Sequence, residues 1–250
     1  MNDRVAFVTG GGRGIGRAIC ERLAAEGAIV VVADLDGASA LQTATAIEAS
    51  GGRARGLTVD VAEYGNVRDA MREARDALGP IDILVNNAGW DKMLAFVDTN
   101  PEFWSRVIDI NLRGCIHCCH AVLDQMIPRN AGKIISIASD AARVGSTGES
   151  VYAACKGGVI SLSKSLAREL APHRINVNAV SPGPTDTPLI QGMVAEGAGK
   201  LVDALRRAIP FRRLAEPAEI AGAVAFFASP DADFITGQVL SVSGGLTMAG

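Results

Sequence analysis

Val5-Ala6-Phe7-Val8-Thr9-Gly10-Gly11-Gly12-Arg13-Gly14-Ile15-Gly16 decides the fold. Five residues of strand-forming character run straight into a glycine-rich turn, and a helical pattern from Ile15 to Glu26 follows at once. A side chain at Gly10 or Gly14 would block so tight a turn, while Gly16 lets the helix pack on the strand. The amides and dipole at the helix N-terminus then face the turn, which suits a pyrophosphate. Gly10, Gly12, Arg13, Gly14, Ile15 and Gly16 are its candidate binding residues.

The same alternation continues outward from this unit. Strands are predicted at Val5 to Thr9, Ile29 to Asp34, Arg53 to Val59, Ile83 to Asn86, Lys133 to Ala138, Asn176 to Ser181 and Val239 to Val242. Helical patterns lie between them near 15–26, 38–49, 67–78, 102–126, 152–170 and 217–227. Strands that are apolar on both faces and alternate with helices specify an α/β domain of Rossmann type, a doubly wound parallel sheet of seven strands with helices on both faces. Residues 1–250 are expected to form this one domain. Pro184 to about Arg213 breaks the rhythm with three prolines and several glycines, and reads as a mobile flap over the carboxyl ends of the strands.

The second strand ends at Asp34, placed to reach the adenosine ribose hydroxyls of a dinucleotide. Its carboxylate would repel a 2′-phosphate, and Leu35 offers an apolar face to adenine, so NAD is expected over NADP. Arg13 argues the other way, since a guanidinium pairs well with a 2′-phosphate.

Bulk properties exclude several classes. The net charge of -3, with both signs interspersed, supplies no field for nucleic acid or anionic lipid. Met1 to Arg4 has none of the regions of a signal peptide, and no apolar run approaches a membrane span, so a cytoplasmic protein is expected. Cys115, His117, Cys118, Cys119 and His120 crowd together but lie inside a helical pattern without paired CxxC groups. They are read as buried filling, with no metal expected.

Tyr152-Ala153-Ala154-Cys155-Lys156 sets a phenol and an ammonium four residues apart on one helix face. A phenol is a weak base at neutral pH unless a nearby cation stabilises its phenolate. In order along the chain stand TGGGRGIG at 9–16, NNAG at 86–89, Asn111, Ser139, YAACK at 152–156 and Pro182-Gly183. This ordered set resembles the short-chain dehydrogenase/reductase family over essentially the whole chain.

The resemblance implies hydride exchange between a nicotinamide dinucleotide and a secondary alcohol or its ketone. It implies that Tyr152 exchanges the proton and that Ser139 orients the substrate oxygen. Lys156 would lower the tyrosine pKa and bind the nicotinamide ribose, and Asn111 would hold a water leading to solvent. It further assigns Asp60 and Val61 to the adenine, Asn87, Ala88 and Gly89 to the adenosine side, and Pro182, Gly183, Thr185 and Thr187 to the nicotinamide. Thr185 departs from the usual Ile or Val, and Ser243 from a usual Asp; the second change is expected to bear on subunit packing. A homotetramer is implied, with Leu240 to Met248 at one interface.

The segments NNAGWD at 86–91, SDAARVGSTGESVYAACK at 139–156 and SPGPTDTPL at 181–189 resemble those of family members that oxidise 2-hydroxycyclohexanecarbonyl-CoA. An acyl-CoA thioester is therefore the expected substrate, walled by Trp90, Met93, Val144 and Met193, with Arg143 meeting the polar arm or standing as a solvated surface arginine. Reduction of a 3-oxoacyl group on a carrier protein is the alternative.

Overall fold

Along the first strand, Val5 and Phe7 point to one face of the sheet and Ala6 and Val8 to the other, and all four are buried. This two-sided burial repeats through the centre of the computed structural model, which describes residues 1–193, 195, 197 and 199–248. The strands are β1 (Val5–Thr9), β2 (Ile29–Asp34), β3 (Arg53–Thr58), β4 (Ile81–Asn86), β5 (Gly132–Ile137), β6 (Ile175–Pro182) and β7 (Val239–Val242). They form one sheet in the order β3-β2-β1-β4-β5-β6-β7, each neighbouring pair parallel. The chain reverses its direction of travel between β1 and β4, so a crevice opens there at the carboxyl ends.

Two helical layers close the core. Helices α1 (Gly14–Ala25), α2 (Gly37–Ala49) and α10 (Pro217–Ala228) cover one face, burying Ile19, Leu23, Ile47, Ile220 and Val224. On the other face α3 (Tyr64–Leu78), α5 (Gly114–Met126) and α7 (Ser150–Leu170) bury Val67, Met71, Val122, Met126 and Val159. All five cysteines are free and buried, and Cys115, Cys118 and Cys119 belong to this second layer. His117 is bonded to the Val61 carbonyl at 2.9 Å and His120 to the Tyr64 hydroxyl at 2.8 Å.

One expected helix is broken. The pattern over 102–126 divides into α4 (Pro101–Ile108), a π-helical turn at Asp109–Arg113, and α5. The cause is Asn111, whose Nδ2 donates to the Val107 carbonyl at 2.9 Å and to the Trp90 carbonyl at 2.6 Å, while its Oδ1 accepts the Trp90 amide at 3.2 Å. A side chain that binds both the carbonyl four residues back and a distant loop widens the turn locally.

Two short helices, α6 (Ala141–Val144) and α8 (Pro188–Met193), and a longer one, α9 (Gly199–Ala208), lie outside the expected pattern. Within 184–213, α9 buries Val202 beside Ile209 and Leu214, and Ile190 and Leu246 pack on them. The side chain of Met193 lies outside what the structure describes, as do Val194, Glu196, Ala198, Ala249 and Gly250. No described helix is long and apolar enough to cross a membrane.

Candidate active site

Thr9 and Asn87 join the two loops that flank the crevice. The Thr9 hydroxyl accepts the amides of Asn87 and Ala88, each at 3.0 Å, and donates to the Val85 carbonyl at 3.3 Å. In return Asn87 Nδ2 donates to the carbonyls of Thr9 and Gly10, both at 3.0 Å. The side-chain amide of Asn87 is thus bound to the glycine turn, and Thr9, which sequence reasoning passed over, is its anchor.

The turn fits a dinucleotide phosphate. Arg13 is the N-cap of α1 and makes no side-chain capping bond among the described residues, and the first turn of α1 carries no acid. Its leading amides therefore face the crevice as donors for an anion. Gly14 has a positive φ of 55°, and a side chain there would point toward Thr187, 3.8 Å away, so the segment after Pro182 reaches back over the turn.

Asp34 sits beside the turn. Its Oδ2 accepts the Gly12 amide at 2.9 Å and its Oδ1 the Asp36 amide at 3.0 Å, which leaves lone pairs for two hydroxyl donors. The helix cap is a different residue: Asp36 accepts the Ala38 and Ser39 amides at the start of α2. The Ser39 hydroxyl and amide, the Ala38 amide and the nearby Arg13 guanidinium hold the Asp36 carboxyl below the usual carboxylate range. Arg13 accordingly has an acidic neighbour of its own. Leu35 is 67% exposed, an apolar plate next to Asp34. Asp60 closes a turn by accepting the Ala62 amide at 2.9 Å, and Val61 is buried against Gly114.

Tyr152 and Lys156 lie near the start of α7, facing the end of β5. Lys156 is 4% exposed, donates from Nζ to the Ile137 carbonyl at 2.8 Å, and lies 5.5 Å from the centre of the Tyr152 ring. Burial lowers its pKa to about 8, against smaller opposing effects of Cys115 and Cys155. Gly89 closes the same space: a side chain on it would stand 2.9 Å from Asn111 Oδ1 and 3.6 Å from Lys156 Nζ. Asn111, Lys156, Thr9, Asn86 and Cys115 line a cavity of about 10 Å³, the room of a single water.

The groups that act most on the Tyr152 phenol here do not include Lys156. Burial raises the Tyr152 pKa, and the negative charges of Glu149 and Asp91 raise it further, with a hydrogen bond from Ser139 opposing them. Asp91 stands two residues beyond NNAG, where an acid was readable but went unused. One of its oxygens, Oδ2, is buried without a hydrogen-bond partner among the described residues. Burial first, and Glu149 next among the raising effects, push its pKa up to about 6, against the Lys92 amide.

The nicotinamide-side segment is built from internal bonds. Gly183 donates to the Val242 carbonyl at 3.0 Å, and the Thr185 hydroxyl donates to the Gly183 carbonyl at 2.9 Å. Ser243 is buried beside Gly183, and its side chain accepts the Thr247 amide at 3.2 Å, so it also shapes this segment from within the chain. Trp90 is half-buried under the Arg106 guanidinium, 3.9 Å from its ring, whereas Met93 and Val144 are exposed. Arg143 turns inward and donates to the Ser241 hydroxyl at 2.8 Å.

A crevice with this turn, this acid and this tyrosine–lysine pair is that of a dinucleotide-dependent oxidoreductase, and the comparisons agree. A family model described as enoyl-(acyl carrier protein) reductase matches residues 10–247. The short-chain reductase protein NovJ of Streptomyces niveus is 39% identical over 246 residues, 97% of this chain and 94% of that protein. The 3-oxoacyl-[acyl-carrier-protein] reductase FabG of Escherichia coli K12 is 38% identical over 251 residues, 99% of each chain. Among solved structures, an actinorhodin polyketide ketoreductase variant with NADPH superposes with a TM-score of 0.93 at 33% identity, covering 97% of both chains. The chain belongs to the short-chain dehydrogenase/reductase family and is an enzyme acting on CH–OH groups.

The chain has two tyrosines, Tyr64 and Tyr152, so Tyr64→Phe leaves one phenol to follow by ultraviolet difference titration. Tyr152 is expected to ionise above the ordinary value of about 10, and Asp91→Asn, which removes a facing negative charge, to lower that midpoint. A midpoint below the ordinary value, or one raised by Asp91→Asn, contradicts the electrostatic account.

Proposed function

We propose that this enzyme interconverts a 3-oxoacyl thioester and its 3-hydroxyacyl thioester with NAD(H). The observation that carries it is the convergence of Ser139, Tyr152 and Lys156 at the end of β5, beside the crevice between the glycine turn and Asn87. Nicotinamide dinucleotide, when bound, supplies or accepts the hydride.

The residues of the chain do the rest. The Tyr152 hydroxyl exchanges a proton with the substrate oxygen, and Ser139 holds that oxygen in line by a hydrogen bond. At neutral pH, below the ordinary phenol value of about 10, the protonated Tyr152 gives its proton to a ketone oxygen; the reverse reaction needs the phenolate and gains as pH rises. Lys156, buried beside the ring, binds the nicotinamide ribose and passes a proton through the Asn111 cavity. Asp34 takes the ribose hydroxyls of the adenosine half, with Asp60 and Val61 along the adenine and the 182–187 segment along the nicotinamide. The 184–213 segment acts as a lid over the substrate.

Relatives named for carrier-bound 3-oxoacyl groups and for a polyketide ketone support the reductase reading over the cyclic CoA thioester expected from the loops. A second reading, oxidation of a 3-hydroxyacyl-CoA such as 2-hydroxycyclohexanecarbonyl-CoA, uses the same residues and draws on Asp34, whose carboxylate favours NAD. A cytoplasmic location belongs to the same proposal, supported by relatives named for carrier-bound substrates.

The test is steady-state turnover by wild type and Tyr152→Phe on 3-oxoacyl-carrier, 3-oxoacyl-CoA and simple cyclic ketones. The carrier-bound ketone is expected to be preferred, and Tyr152→Phe to lose about 10²-fold or more, the usual contribution of acid/base catalysis. Preference for free ketones, or a Tyr152→Phe rate near wild type, contradicts the reading. Assembly into a homotetramer is also proposed, supported by exposed Phe211, Leu240 and Met248 at the β7 end and Ile108 and Ile116 on the α4–α5 face. Sedimentation at micromolar concentration should give four copies; a monomer contradicts it.

A further inference from the structure

Directly after Ser139 stands a buried carboxylate that no step above uses. Asp140 is 4% exposed; its amide donates to the Pro182 carbonyl at 3.0 Å, and its Oδ1 accepts the Ser241 hydroxyl at 2.6 Å. Its Oδ2 is buried and makes no hydrogen bond among the described residues. Ser241 belongs to β7 and is itself bonded by Arg143 of α6, so its hydroxyl stands between a guanidinium and a carboxylate. Burying a carboxylate is costly unless a partner compensates it, and here Arg143 reaches this one through the Ser241 hydroxyl. Such a costly arrangement marks a position where a fixed geometry matters.

The row runs from α6 through β7 to the end of β5. Ser139 adjoins it on both sides: it is peptide-linked to Asp140, and its Oγ accepts the Ala141 amide at 3.2 Å at the start of α6. The end of β5 is also held to β6, the Ala138 amide donating to the Val180 carbonyl at 2.8 Å. Both the backbone and the side chain of Asp140 are thus tied to neighbouring strands, directly beside the peptide that carries Ser139.

We propose that Asp140 and Ser241 are positioning residues for Ser139, with the Asp140–Ser241 bond pinning the β5 end against β7 so that the Ser139 hydroxyl meets the substrate oxygen together with Tyr152. The inference rests on the reading that Ser139 orients that oxygen. Neither residue touches substrate; each acts through Ser139. A misplacement of about 1 Å at a reacting centre is enough to cost up to about 10²-fold in rate.

The experiment measures kcat, KM for the ketone and NADH dissociation constant for Ser139→Ala, Asp140→Ala, Ser241→Ala, Ser241→Thr and the Asp140→Ala/Ser241→Ala pair. Asp140→Ala and Ser241→Ala should each lower kcat about tenfold while NADH affinity stays within about twofold, since the loss lies in placement and not in the cofactor crevice. Ser241→Thr keeps the hydroxyl and should restore most of the rate. The double variant should lose no more than the worse single, because one bond is broken in all three. Where Asp140→Ala fails to fold, the contrast between Ser241→Ala and Ser241→Thr decides alone. Wild-type kcat in Ser241→Ala, multiplied losses in the pair, or NADH affinity falling in step with kcat overturns the proposal. Wild-type kcat in Ser139→Ala instead overturns the role given to Ser139, and the proposal with it.

Discussion

The reciprocal bonds between Thr9 and Asn87 are the constraint on which the site depends. The β1–β4 ladder ends at the Val8–Val85 pair, and the two loops that follow it lie side by side beyond its reach. Here one hydroxyl takes two amides and one side-chain amide binds two carbonyls, so the glycine turn and the NNAG loop form one rigid lip. The uncapped start of α1 then projects its amides into the crevice, Asp34 is tied to the lip through Gly12, and Gly89 is left close to Lys156.

A second set of bonds orders the opposite wall. Asn111 grips the backbone of Trp90 from within a π-helical turn, which couples the loop after β4 to the helix pair α4–α5. Lys156 is held on the Ile137 carbonyl, at the end of the strand that leads to Ser139. Burial and the negative charges of Glu149 and Asp91 raise the phenol pKa and a hydrogen bond from Ser139 opposes them, while Lys156, its own pKa lowered by burial, lies 5.5 Å from the ring centre.

The central strands were legible because each is a largely apolar run buried on both faces, the edge strands β3 and β7, which are not, because they fall in the same alternation with helices, and the ends of all seven moved by no more than two residues. Asp34 was legible too, because the spacing from the glycine turn is dictated by one βαβ unit. The break in the helix over 101–126 was not, since it arises from bonds between Asn111 and a loop twenty-one residues earlier. Helices α6, α8 and α9 were hidden because their patterns are short or interrupted by proline and glycine. The packing of Ser243 against Gly183 was hidden for a similar reason: the two are distant in sequence. Asp140 left no signal at all, because a single acid after Ser139 shows its burial and its Ser241 partner only once β7 is in place.

The central claim is that the lip between β1 and β4, with Asp34 at its edge, is a seat for NAD(H). Calorimetric titration of the protein with NADH and, separately, NADPH tests it without turnover. A carboxylate facing a 2′-phosphate should make NADH bind about tenfold tighter or more, a difference of roughly 1.4 kcal/mol. Equal affinities, or tighter binding of NADPH, would show that Arg13 governs the site and would contradict the account.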